Sequence, residues 1–109
     1  MRNAKVFFKD EEAGILTQKD DGSFVFEYHD SWIKNPDKKS ISLTLPKVKG
    51  EFQSPHLFPF FYNLLPEGSN KMVACKLNRI DEDDHFGLLL STARYDSIGA
   101  VRIVKLPET

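Results

Sequence analysis

The order of residue patterns predicts an α+β fold: an antiparallel sheet of about five strands, an N-terminal meander plus a C-terminal strand, packed with about three helices. Three observations lead there. Apolar and polar residues alternate through the first third of the chain, most clearly in Phe24-Val25-Phe26-Glu27-Tyr28. From Ser54 the apolar spacing becomes helical. Near the end, Gly99-Ala100-Val101-Arg102-Ile103-Val104 alternates again, so strands are followed by helices and then by one closing strand.

The elements follow in order. Lys5-Val6-Phe7-Phe8 and Gly14-Ile15-Leu16-Thr17-Gln18 read as strands flanking a polar turn at Asp10-Glu11-Glu12. The second pairs with Ser23-Phe24-Val25-Phe26-Glu27-Tyr28 across Asp20-Asp21-Gly22. In that third strand Phe24, Phe26 and Tyr28 share one face, which must be packed against something. Asp30-Ser31-Trp32-Ile33 predicts a short capped turn of helix, closed by Asn35-Pro36-Asp37. Ile41, Leu43 and Leu45 then point one way and Ser42 and Thr44 the other, which predicts a fourth strand ended by Pro46. A short helix starts near Pro59, where a missing N–H costs nothing, and cannot continue well past Pro66. The next spans about 69–79, with Met72, Val73, Leu77 and Ile80 on one side and Lys71, Lys76 and Arg79 on the other. A further helix begins near Asp83-Asp84, whose carboxylates suit an N-terminus, and carries Phe86, Leu88, Leu89 and Leu90. The polar tail 105–109 is expected to fray.

At 109 residues and 12.5 kDa, residues 1–109 are expected to form a single domain that buries roughly two-thirds of the surface of its unfolded chain. Hydrophobic residues make up 40% and charged residues 28%, and nine phenylalanines point to an aromatic-rich core. A net charge of −1 lacks the electrostatic footprint of direct nucleic-acid binding. The lone Cys75 can form no internal disulfide, and the sequence has no Asn-x-Ser/Thr acceptor. It also shows no signal-peptide h-region and no apolar run near the length of a membrane span, so a cytoplasmic protein is expected.

Enzyme signatures are missing from the sequence. Glycines at 14, 22, 50, 68, 87 and 99 are never closer than eight residues, too sparse for a phosphate-cradling loop. Kinase catalytic motifs are not found. His29, His56 and His85 lie far apart, and Cys75 sits in a helical apolar pattern that suits packing. Asp81-Glu82-Asp83-Asp84 departs from a calcium loop: counted from Asp81, Gly87 falls one position late and Thr92 stands where Glu is needed. Helix capping explains that run better. Trp32 suits either core packing or an interaction anchor. No catalytic residue, cofactor or metal ligand is therefore assigned.

The segment from Phe58 to Gly68 is different. It has the form of a site without carrying chemistry: a short helix, apolar all round, stopped by Pro66 and followed by Glu67 and Gly68. Each aromatic taken singly suits the core. However, Phe60, Phe61 and Tyr62 are consecutive and cannot share one helix face, so at least one should approach the surface. Which one is left open.

Several segments in order resemble the N-terminal subdomain of HipA-family toxin kinases. They are Gly14-Ile15-Leu16, then Phe24-x-Phe26-x-Tyr28 with Trp32, then Ile41-Ser42-Leu43-Thr44-Leu45-Pro46. Phe60-Phe61-x-Asn63-Leu64-Leu65-Pro66-Glu67-Gly68, Phe86-x-Leu88-Leu89 and Asp96-Ser97-Ile98-Gly99-Ala100-Val101 complete the series. The likeness spans nearly the whole chain, and its central motif is fairly specific. In that family the ATP-binding and catalytic motifs follow this subdomain, whereas here the sequence stops at Thr109. The chain is most similar to the free-standing HipS-like antitoxins of HipBST-type systems. This resemblance implies a non-enzymatic antitoxin that binds and restrains a separate HipA-like or HipT-like kinase toxin, with a helix-turn-helix HipB-like protein handling operator DNA. The alternative it implies is the non-catalytic N-terminal subdomain of a full-length HipA-like kinase. On either account Phe60, Phe61, Tyr62, Asn63, Pro66, Glu67 and Gly68 are the residues expected to face the kinase.

Overall fold

The structure is a computed structural model that describes residues 2–63, 65, 72–73, 75–77, 79–81, 83–92 and 101–105. Strands β1 (Arg2–Phe8), β2 (Glu11–Gln18) and β3 (Phe24–Tyr28) form the expected meander. β4 (Glu51–Ser54) and β5 (Val101–Lys105) close its two edges, giving the order β4-β3-β2-β1-β5. Every neighbouring pair is antiparallel. Helices α1 (Asp30–Lys34), α2 (Pro59–Tyr62) and α3 (His85–Thr92) are short, and Met72, Val73, Cys75, Lys76 and Leu77 are helical as well. The fold is α+β, as the patterning predicts.

Register explains the core. Ala4, Leu16, Phe26 and Phe52 stand side by side across β1 to β4, and Val6, Gly14 and Tyr28 form the next row. Strand side chains alternate between faces, so these rows lie on one face. Phe61 packs on Phe26 at 5.6 Å between ring centroids, and Phe86 on Phe24 at 6.1 Å, which places α2 and α3 over that face. The opposite face carries the Lys5–Glu12 ion pair (3.4 Å), the Thr17–Asn3 hydrogen bond (2.7 Å) and Arg102 over the Phe7 ring.

A β-bulge adjusts this pattern. Val6 faces Gly14 but Phe7 faces Glu12, so Ala13 is an extra residue, and its side chain is buried in the core. Beside it, a Cβ on Gly14 would lie 2.3 Å from the Glu27 carbonyl oxygen; only glycine lets β2 approach β3 there.

Four expectations need correction. The β1–β2 turn is Lys9-Asp10, both with positive φ (52° and 65°), rather than 10–12. The helical turn at Asp30 has no side-chain cap; His29 occupies the N-cap position and Asp30 lies inside the helix. Residues 41–45 are not a strand. Ile41 and Leu45 are buried, but Leu43 points straight out, because Ser42 and Leu45 close a tight turn through the Leu45 N–H to Ser42 C=O bond (3.2 Å). The Ser42 hydroxyl accepts the Thr44 N–H (3.2 Å), so the serine diverts the backbone from a ladder. The fourth strand is instead Glu51–Ser54, a short and largely polar edge strand. Finally, of the expected apolar side of the 69–79 segment, Met72, Val73 and Leu77 face solvent and Ile80 packs against the core, while Cys75 turns into it.

Candidate partner-binding site

Helix α2 begins as its sequence requires, with Pro59 in the first turn, where no intrahelical acceptor is available for an N–H. Phe61 is fully buried and sits at the centre of an aromatic cluster. Phe60 and Phe58 meet it edge-on at 5.2 and 6.2 Å, and Phe26 lies tilted against it at 5.6 Å. Leu57, Phe58 and Leu65 are buried on either side of the helix, so both of its ends are pinned. With Phe61 committed inward, its neighbour must turn out: Tyr62 is 47% exposed, and Asn63 is exposed after it.

The four expected site residues within the described chain therefore divide. Phe61 contributes no surface and serves as the anchor, which corrects its expected place at a contact. Phe60 is partly buried against it. Tyr62 and Asn63 are the presented pair. Pro66, Glu67 and Gly68 lie outside the described residues.

Beside Tyr62 lies a surface groove of about 460 Å³ whose lining includes Phe24, Leu57, His56, Asp83 and His85. The His85 imidazole meets the Tyr62 ring edge-to-face at 5.2 Å. His85 is positioned by the start of α3. The Asp84 carboxylate accepts the Gly87 N–H (3.1 Å), capping the helix, and pairs with the two terminal guanidinium nitrogens of Arg2, Nη2 and Nη1 (2.7 and 3.1 Å). The Arg2 hydrogen bonds hold the Asp84 carboxyl below its usual range, with the Gly87 bond adding to the effect and burial opposing it. Arg2 also donates to the Gln18 side chain and stacks over Phe86 at 5.0 Å, so β1, β2 and α3 meet at one cation.

The groove combines apolar walls with imidazole and carboxylate groups, a mixture suited to a partner's side chain. Among the described residues, no cluster of three or more His, Cys, Asp or Glu side chains is placed to hold a metal ion. The sequence reading did not foresee His56 or His85 at this site. The Asp83-Asp84-His85 helix start was a legible signal for His85, but His56 follows an edge strand that the patterning does not reveal.

The HipA N-terminal domain family matches residues 4–104. The chain belongs to that family. An uncharacterised protein of Haemophilus influenzae is 39% identical over 105 residues, covering 94% of this chain and 92% of its own length. A putative kinase of Sinorhizobium fredii is 30% identical over 108 residues, and there this chain spans 25% of the relative's length. Among solved structures, an N-terminal domain of HipA toxin is 33% identical, with a TM-score of 0.71 over 100% of this chain and 96% of that one. The HipA fold recurs at 22% identity in a Shewanella oneidensis structure of HipA, HipB and operator DNA, with a TM-score of 0.76, where 97% of this chain corresponds to 25% of the other. This HipA N-terminal domain thus matches both a short relative over nearly its whole length and one quarter of a much longer one.

Proposed function

We propose that this HipA N-terminal domain is an antitoxin that binds and inhibits a separate HipA-like Ser/Thr kinase toxin by protein–protein contact. The observation that carries this reading is apolar surface left uncovered on the helical segments. Tyr62 (47%), Met72 (53%), Val73 (54%) and Leu77 (78%) are exposed, and the last three fall within six residues of one another, where grouped apolar side chains suit a contact surface. The putative kinase of S. fredii supports the choice of partner, because there the matched domain is joined to a further three-quarters of chain.

In this reading the domain acts as one unit in the cytoplasm and performs no chemistry of its own. It docks where the fused domain of a longer relative would sit. The stretch from Phe60 through Tyr62, Asn63, Pro66 and Glu67 to Gly68 reaches toward the active-site cleft, with Phe61 as its buried anchor. Inhibition is steric or conformational. A helix-turn-helix HipB-like protein joins through the complex and contacts the DNA.

Co-expression with the cognate HipA-like kinase tests this. A stable complex that copurifies, together with restored growth, is the expected result. Tyr62→Ala and Phe60→Ala, with folding checked by circular dichroism, are expected to lose neutralisation; full neutralisation by both folded variants would remove the aromatic segment from the mechanism. A second reading, the non-catalytic N-terminal part of a full-length HipA-like kinase, is favoured by the 25% span of the S. fredii relative. It predicts that the domain has no effect on growth when supplied as a separate chain.

A further inference from the structure

The connection between α1 and β4, residues 35–50, is nearly devoid of regular structure yet is held at many points. The buried Tyr28 hydroxyl donates to the Leu45 carbonyl and accepts the Ile41 N–H (3.0 Å), clasping both feet of the 42–45 turn. The Trp32 indole N–H donates to the Lys39 carbonyl (2.9 Å). Lys47 donates through Nζ to the carbonyls of Asn35 (2.8 Å) and Lys38 (2.5 Å), and through its backbone N–H to the Ser40 hydroxyl (2.7 Å). Ile41 and Leu45 belong to the same buried cluster as Phe61, so this loop and α2 are mounted on one core.

At the tip of this clamped turn Leu43 is 101% exposed, with Val48 half exposed nearby in sequence. A rigid loop that holds a large apolar side chain in water has already lost the conformational freedom that binding would otherwise cost. The loop that carries it is rich in lysine. Residues 31–50 carry five lysines and a single acid, Asp37, in a chain of net charge −1. Lys38 pairs with Glu11, while Lys34, Lys39 and Lys49 are exposed. An apolar tip on a lysine-rich loop is complementary to an apolar pocket rimmed by carboxylates. A nucleic-acid backbone offers no apolar pocket, and one leucine buries too little area to hold a membrane surface.

We propose that Leu43 is a second contact with the kinase partner, entering an apolar pocket rimmed by acidic residues; this rests on the reading that the chain binds such a kinase. The test is calorimetric titration of the purified cognate kinase with wild type, Leu43→Ala, Leu43→Met and the double variant Lys39→Glu/Lys49→Glu, at low and high salt. Leu43→Ala is expected to weaken binding about tenfold or more, and Leu43→Met to stay close to wild type. The charge reversal should weaken binding at low salt and remove much of its salt dependence. Circular dichroism should show all variants folded, because the altered side chains touch no core. If wild type binds and Leu43→Ala binds within about twofold of it, the proposal is overturned and the antitoxin reading stands. If wild type does not bind the kinase, both fall. Leu43-dependent binding to phosphatidylserine–phosphatidylcholine vesicles, with kinase affinity unchanged, would also overturn it and assign the turn to a membrane surface.

Discussion

Tyr28 shows how much one polar atom can organise. Its ring packs edge-to-face on Phe26 at 4.9 Å, while its hydroxyl serves both a carbonyl and an N–H of a loop that has almost no backbone ladder of its own. Burial raises its pKa above the usual phenol value, the bonds from Ile41 and Ser40 acting against that shift. Removing the oxygen would strand two buried backbone groups. Tyr28→Phe is therefore expected to lower stability by about 1–3 kcal/mol, measured by urea unfolding. It should also loosen the turn bearing Leu43, visible as faster amide exchange at Leu45.

At the scale of elements, the helical residues Met72, Val73, Cys75, Lys76 and Leu77 bear most on the proposed function. Amphipathic spacing put Met72, Val73 and Leu77 on one side, and helices of this kind normally bury that side. Here Cys75 faces the core, Ile80 packs against it, and Met72, Val73 and Leu77 face water. A side chain with 78% of its surface exposed contributes little to the isolated fold. Leu77→Glu is thus expected to shift stability by no more than about 0.5 kcal/mol in thermal unfolding, while weakening kinase binding about tenfold or more in calorimetry. A large loss of stability instead would mean that this face packs within the domain. Helix α2 follows the same logic on a smaller scale: Phe61 fills the core, so Tyr62 is exposed as a consequence of helical geometry.

For the whole molecule, the Arg2–Asp84 pair ties the first strand to the last described helix, residues 82 positions apart. Asp84's carboxyl is held below its unfolded value, near 3.8, so its contribution is fully present above that pH. The contribution is lost as pH falls through the lower folded value. Asp84→Asn should cost about 1 kcal/mol at neutral pH, a modest figure because the pair is a third exposed and solvent screens it. Urea midpoints of wild type and variant should converge on acidification below about pH 4; a constant gap would rule out the ionic tie. The sequence by itself determined the α+β class, the meander, the Pro59 helix start, the Asp84 cap and the family, because periodicity, proline and capping residues act over a few neighbouring positions. It did not reveal β4, whose Glu-Phe-Gln-Ser run carries little strand preference and is ordered only by pairing with β3. Nor did it reveal that Leu43 and Leu77 face solvent or that His56 and His85 share a groove with Tyr62. Those facts depend on which surfaces meet across long sequence separations, and only tertiary packing decides which apolar side chains are covered and which are left exposed.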